Sequence, residues 1–158
     1  MPLQIVTIPC LSDNYAYLLH DAASGDTALI DAPQAEPILD ELHSRGWRLG
    51  QVLLTHHHWD HVDALPRILE AHPGARVVGA AADAHRLPPL DTPVAEGDTV
   101  TVGREPGTVI DVSGHTVGTS PFISRTASWP SLPTASWRLA AGAWSKARPI
   151  RCGTACQS

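Results

Sequence analysis

Short apolar or alternating runs at Leu3–Ile8, Ala16–His20 and Thr27–Asp31 predict three strands, with Gly25 and Asp26 turning the chain between the last two. The period then changes. Ala35, Ile38, Leu39 and Leu42 recur at helical spacing, and Gly46 stands just past them, so a helix is expected from Ala35 to that glycine. Gln51–Thr55 reads as a short buried strand. A second helix is expected to turn Val62, Leu65, Ile68 and Leu69 inward and to stop at Pro73-Gly74. Arg76–Val78, Asp98–Val102 and Thr108–Val112 predict further strands, which makes the order a mixed α/β one with helices packed on sheet. After Gly118 neither period persists, and no element is assigned there.

Composition narrows the picture. With 158 residues, 43% hydrophobic and 17% charged, the chain can bury a core and is neither a disordered tail nor a coiled coil. A net charge of −5 argues against nucleic acid as the main partner, because phosphate needs a basic face. The charge is unevenly spread: residues 1–118 hold 6 basic and 16 acidic side chains and every histidine, whereas residues 119–158 hold 5 basic ones and no acid or histidine. The N-terminus lacks the pattern of a secretory signal, and no apolar run is long enough to span a bilayer. Three cysteines form no disulfide framework. The expectation is a cytoplasmic monomer with no membrane contact.

The chemistry gathers in Thr55-His56-His57-His58-Trp59-Asp60-His61, entered straight from a hydrophobic strand. If the chain stays extended, His56, His58 and Asp60 share one face, and His61 joins them where the chain turns into the next helix. Imidazole and carboxylate donors at this density suit borderline metals such as zinc or iron. A surface histidine run would account for His56–His58 but not for Asp60 and His61 at the mouth of a buried strand. By alternation His57 points away, toward packing or support. His115, in Ser113-Gly114-His115-Thr116 at the end of an apolar strand, is a further candidate ligand, with Gly114 allowing a sharp turn. His20, His43, His72 and His85 have no comparable setting and are expected to be surface or internally satisfied.

These motifs carry a resemblance. His56-x-His58-x-Asp60-His61 followed by Gly114-His115-Thr116 resembles the metallo-β-lactamase superfamily, and Asp13-Asn14-Tyr15-Ala16-Tyr17 with Thr55–His61 resembles its glyoxalase II (hydroxyacylglutathione hydrolase) branch, over residues 1–118. The resemblance implies an αββα sandwich, present only in part, with two metals at its edge. His56, His58 and His115 would hold the first; Asp60, also the catalytic carboxylate, and His61 would hold the second. Zinc is the implied metal, two ions per site in the family and one in this chain, with iron and manganese as further candidates. The implied partner is a glutathione thioester, S-(2-hydroxyacyl)glutathione, split to glutathione and a 2-hydroxy acid such as D-lactate, in methylglyoxal detoxification. Asp31 resembles the family's supporting carboxylate, although its place at a strand end fits a plain capping role equally well. Asp13 and Asn14 are expected to fix a turn rather than touch substrate, so no substrate-binding residue is assigned.

The family pattern also needs a bridging Asp and a final His after the Gly-His-Thr segment, and residues 119–158 supply neither. Loss of one C after the Gly118 codon would account for this: shifted by one base, the codons of residues 119–144 permit a peptide that restores G-H-T-x-G-H and contains T-A-D-S-L. Residues 1–118 are therefore expected to be the N-terminal part of a metallo-β-lactamase-like domain, and residues 119–158 an unpatterned, out-of-frame basic tail. Cys152 and Cys156 in that stretch form an incidental C-x₃-C pair. The competing functions are another enzyme of this fold, a lactonase or an iron persulfide dioxygenase, and a non-catalytic truncated remnant.

Overall fold

The structure is a computed structural model that describes residues 3–110 in full and residues 122–124 at the level of the backbone. The first six strands are β1 (Gln4–Cys10), β2 (Asn14–His20), β3 (Thr27–Ile30), β4 (Leu49–Leu53), β5 (Arg76–Ala80) and β6 (Thr92–Val94), and they form one sheet in sequence order. β1, β2 and β3 run antiparallel; β3, β4, β5 and β6 are parallel. β7 (Thr99–Val102), β8 (Glu105–Val109) and β9 (Phe122–Ser124) make a second, antiparallel sheet.

Two cores follow from strand alternation. On one face of the large sheet, Ile8, Ala16, Leu18, Leu29, Val52 and Leu54 pack against α1 (Ala35–Arg45) and α3 (Leu65–Ala71). On the other, Leu19, Ala28, Ile30, Leu53 and Val78 meet Val100, Val102 and Val109 of the small sheet. The described residues thus form three layers, helix, sheet and sheet, which agrees with the partial sandwich expected. Helix α1 buries Ala35, Ile38 and Leu42 and ends as anticipated: Gly46 takes φ 67°, and the Trp47 amide donates back to the Leu42 carbonyl at 2.9 Å. No helix is long and apolar enough to cross a membrane among the described residues.

Several expectations shift. The expected second helix is divided into α2 (Trp59–Val62) and α3, because the chain reorients to dock His61 and Ala64 on Ala32: Ala32 N–H donates to the His61 carbonyl at 2.8 Å, and Ala64 N–H to the Ala32 carbonyl at 3.0 Å. Helical periodicity survives the break, with Leu65 and Ile68 buried. β6 escapes detection since it is three residues long and contains Pro93, an edge-strand residue. β9 falls after Gly118, where periodicity assigned nothing; three residues carry too little pattern, and pairing with β8 defines it.

Candidate metal centre

Parallel strands bring their carboxyl ends to one edge of a sheet, the usual place for a ligand site in such folds. Here β3 ends at Asp31, β4 leads into residues 54–58, and β5 leads into a short 3₁₀ turn, Ala81–Asp83. The antiparallel β2 starts at the same edge and contributes Asn14. Three segments remote in sequence, at Asn14, Asp31 and Asp83, therefore converge on the histidine loop that follows β4.

His56 lies at the middle of the cluster. Its ring centroid is 4.6 Å from that of His58 and 4.0 Å from that of His61. His61 Nε2 lies 3.6 Å from Asp60 Oδ2. The path differs from the expected extended run: the chain is extended only to His58 (φ −61°, ψ 141°), and Trp59, Asp60 and His61 already belong to α2. Asp60 reaches the cluster by a helical turn rather than by alternation, because α2 is drawn onto Ala32. His57 does point elsewhere, its Nδ1 2.8 Å from Asp83 Oδ2, as alternation suggested.

Asp31 organises the loop. Its Oδ1 accepts from the Thr55 amide at 2.9 Å, and its Oδ2 accepts from Thr55 Oγ1 at 2.7 Å and from His61 Nδ1 at 2.8 Å. The residue itself takes φ 58°, a left-handed conformation that Asp tolerates better than most side chains. Backbone strain held at this convergence is the kind that surrounding contacts must over-determine. Both readings of Asp31, strand-end residue and support for an imidazole, thus describe the same side chain. For His61, burial works against the imidazolium, but the Asp31 hydrogen bond and the charges of Asp31 and Asp60 outweigh it, and the proton is held above the usual imidazole range.

Two further supports were not singled out from the sequence. Asn14 Nδ2 donates to the Asp60 carbonyl at 2.6 Å while its Oδ1 accepts from the Tyr15 amide at 2.8 Å, so it fixes a turn, as expected, and reaches the loop besides. Asp83, fully buried, holds His57 on one oxygen and Arg86 Nε, at 2.5 Å, on the other. Asn14 stands in the Asp13-Asn14-Tyr15 motif, which does not specify its tie to Asp60, and Asp83 has no signal beyond a polar residue type in an apolar setting. Of the other histidines, His20 is satisfied as expected, bonded to Thr27 Oγ1 and stacked on Trp47 at 4.0 Å; His43 and His85 are exposed.

The donor set suits a metal ion. A ligating imidazole commonly gives its second nitrogen to a carboxylate or hydroxyl that fixes its orientation, as His61 does with Asp31 and His56 with Thr55 Oγ1 at 3.0 Å. Among the described residues no three donors converge closely enough to hold an ion by themselves. His115, the further candidate ligand, lies outside the described residues.

A helix–sheet–sheet sandwich carrying a histidine-aspartate loop at the carboxyl edge of its parallel strands is a metallo-β-lactamase architecture. Residues 12–134 match the Metallo-beta-lactamase superfamily, and the chain belongs to it. It is 63% identical over 122 residues to the hydroxyacylglutathione hydrolase of Cereibacter sphaeroides, a match covering 77% of this chain and 48% of that protein. The chain spans about half the length of the curated relatives it matches. Among solved structures it is similar to ETHE1 from Myxococcus xanthus (28% identity, TM-score 0.62, 78% of this chain and 54% of the other). The BLEG-1 B3 metallo-beta-lactamase (19% identity, TM-score 0.68, 77% and 67%) shares the fold.

Proposed function

We propose that this chain carries part of the active site of a metal-dependent thioesterase acting on S-(2-hydroxyacyl)glutathione. The observation that supports this best is the 63% identity to a hydroxyacylglutathione hydrolase over 122 residues. In this reading His56, His58 and His115 hold one ion, and Asp60 with His61 contributes to a second, zinc being the metal that best suits imidazole and carboxylate donors together. Bound metal lowers the pKa of water and offsets the negative charge that develops on the thioester carbonyl oxygen. The chain's own part is orientation. Asp31 directs His61 and Thr55, Asn14 anchors the main chain of Asp60, and Asp83 anchors His57. A thiolate is a good leaving group, so hydrolysis needs no strong general acid. The proposed setting is the cytoplasm, with glutathione thioester as partner and the chain monomeric.

We also propose that residues 119–158 are read out of frame, since they contain no Asp or His. The non-catalytic reading draws on that same composition. One experiment addresses both: metal content and S-lactoylglutathione hydrolysis are measured for this chain and for a version with one base restored after the Gly118 codon. The expected result is hydrolysis by the restored chain with zinc bound, and little by the 158-residue chain. Robust hydrolysis by the 158-residue chain contradicts the out-of-frame proposal; iron with oxygen uptake in the restored chain contradicts the thioesterase.

A further inference from the structure

Thr55 occupies an unusual position between an acceptor and a ring that can either donate or accept. Its side chain is buried, 2% exposed, and its hydroxyl has a single proton. Asp31 Oδ2, 2.7 Å away, belongs to a carboxylate that also receives the Thr55 amide and His61 Nδ1. An ionised carboxylate only accepts, so the Thr55 proton must point to Asp31. The same Oγ1 is 3.0 Å from His56 Nδ1 and can only accept there. His56 must therefore carry a proton on Nδ1. In the neutral ring this leaves the lone pair on Nε2.

We propose that Thr55 is a positioning residue: by donating its hydrogen bond to Asp31 and accepting one from His56, it locks His56 in the Nδ1–H tautomer, the form that offers Nε2 to a metal ion. One carboxylate then sets two imidazoles, His61 directly and His56 through the threonine hydroxyl. The family resemblance nominates Asp31 as a supporting carboxylate, but Thr55 enters only through this chain of donors. The last step, toward metal, rests on the metal reading above; the tautomer does not.

The test uses the full 158-residue chain with ¹⁵N-labelled histidine, free of metal and held near pH 8, with the His56 ring assigned by its loss in His56→Gln. Long-range proton–nitrogen spectra read the tautomer. Wild-type His56 is expected with its proton on Nδ1, Thr55→Val with the Nε2–H form populated, and Thr55→Ser, which keeps the hydroxyl, like wild type. Cobalt(II) affinity, by chelator competition, should fall about 10–100-fold in Thr55→Val and be restored in Thr55→Ser. A wild-type His56 protonated on Nε2, or a Thr55→Val ring unchanged from wild type, overturns the proposal. If the tautomer shifts while cobalt affinity does not, the metal reading fails and takes the functional link with it, though the hydrogen-bond assignment stands. Should Thr55→Val not fold, the wild-type and Thr55→Ser tautomers decide the matter alone.

Discussion

The carboxylate of Asp31 lies 2.8 Å from Nδ1 of His61, a residue thirty positions later in the chain, and the same carboxylate holds both the amide and the hydroxyl of Thr55. One side chain at the end of β3 thus anchors both ends of the histidine loop. Replacing Asp31 with Ala leaves two buried donors of Thr55 and a part-buried one of His61 without this acceptor and should cost about 2–4 kcal/mol in denaturant unfolding. Asp31→Gly should be about 1 kcal/mol better than Asp31→Ala, since glycine relieves the left-handed φ. Asp31→Asn keeps one acceptor oxygen and should be the mildest of the three.

Asn14 links the β1–β2 hairpin to Asp60 through a 2.6 Å hydrogen bond. Asn14→Asp keeps the oxygen that caps the Tyr15 amide and removes the donor to Asp60. Its metal affinity, measured by chelator competition, should fall about tenfold, within the range seen when outer supports of a metal site are lost. Affinity equal to wild type would show that Asn14 serves the hairpin alone.

Asp83 is buried beside His57 and Arg86, and Arg86 is itself partly exposed, so water screens part of that pair. Asp83→Ala should destabilise by about 1–3 kcal/mol, less than a wholly buried ion pair would lose. Asp83→Asn should recover part of this by keeping an oxygen for one partner. Equal unfolding midpoints for wild type and Asp83→Ala would contradict the assignment.

Asp21 ties the β2–β3 turn to the β7–β8 turn through Arg104, which bonds both carboxylate oxygens with its guanidinium and one with its amide. The side-chain hydrogen bond from Arg104 is the main reason that the Asp21 carboxyl is held well below the usual carboxylate range, with the Ala23 amide adding to it against the effect of burial. A carboxyl depressed in the folded state contributes stability that is complete above its unfolded value, about 4, and is lost as the pH falls through the folded value. Arg104→Met should therefore raise the pH at which the chain unfolds in an acid titration followed by circular dichroism. Gly103→Ala should be destabilising at every pH, because an added Cβ collides with the Asp21 side chain while φ is 60°.

Much of the centre was legible from residue order. The loop stands out because six residues with five histidine or aspartate side chains follow a buried strand, and its donors are close in sequence, so local geometry nearly suffices to gather them. His57 was correctly set apart by alternation, since the chain is extended as far as His58. Asp60 was placed on the right side for the wrong local reason, for the helix begins before it. Asn14 and Asp83 were invisible as supports: each lies 46 or 26 residues from its partner, and no local period encodes such a meeting.

The sequence by itself determined the alternation of the strands, the helical face and glycine stop of α1, and a cluster of imidazole and carboxylate donors at a strand end. These depend on periodicity, on φ preferences and on the ligand chemistry of side chains, all of which are local. Only the tertiary structure decided which carboxylate orients which ring, where the helix after the loop begins, and how Asp31, Thr55 and His61 share their protons. Those outcomes depend on the parallel pairing of β3, β4 and β5, which stacks three carboxyl ends side by side. Strand pairing is a long-range choice set by burial on both faces of the sheet, and hydrogen bonds across that edge exist only once it has been made.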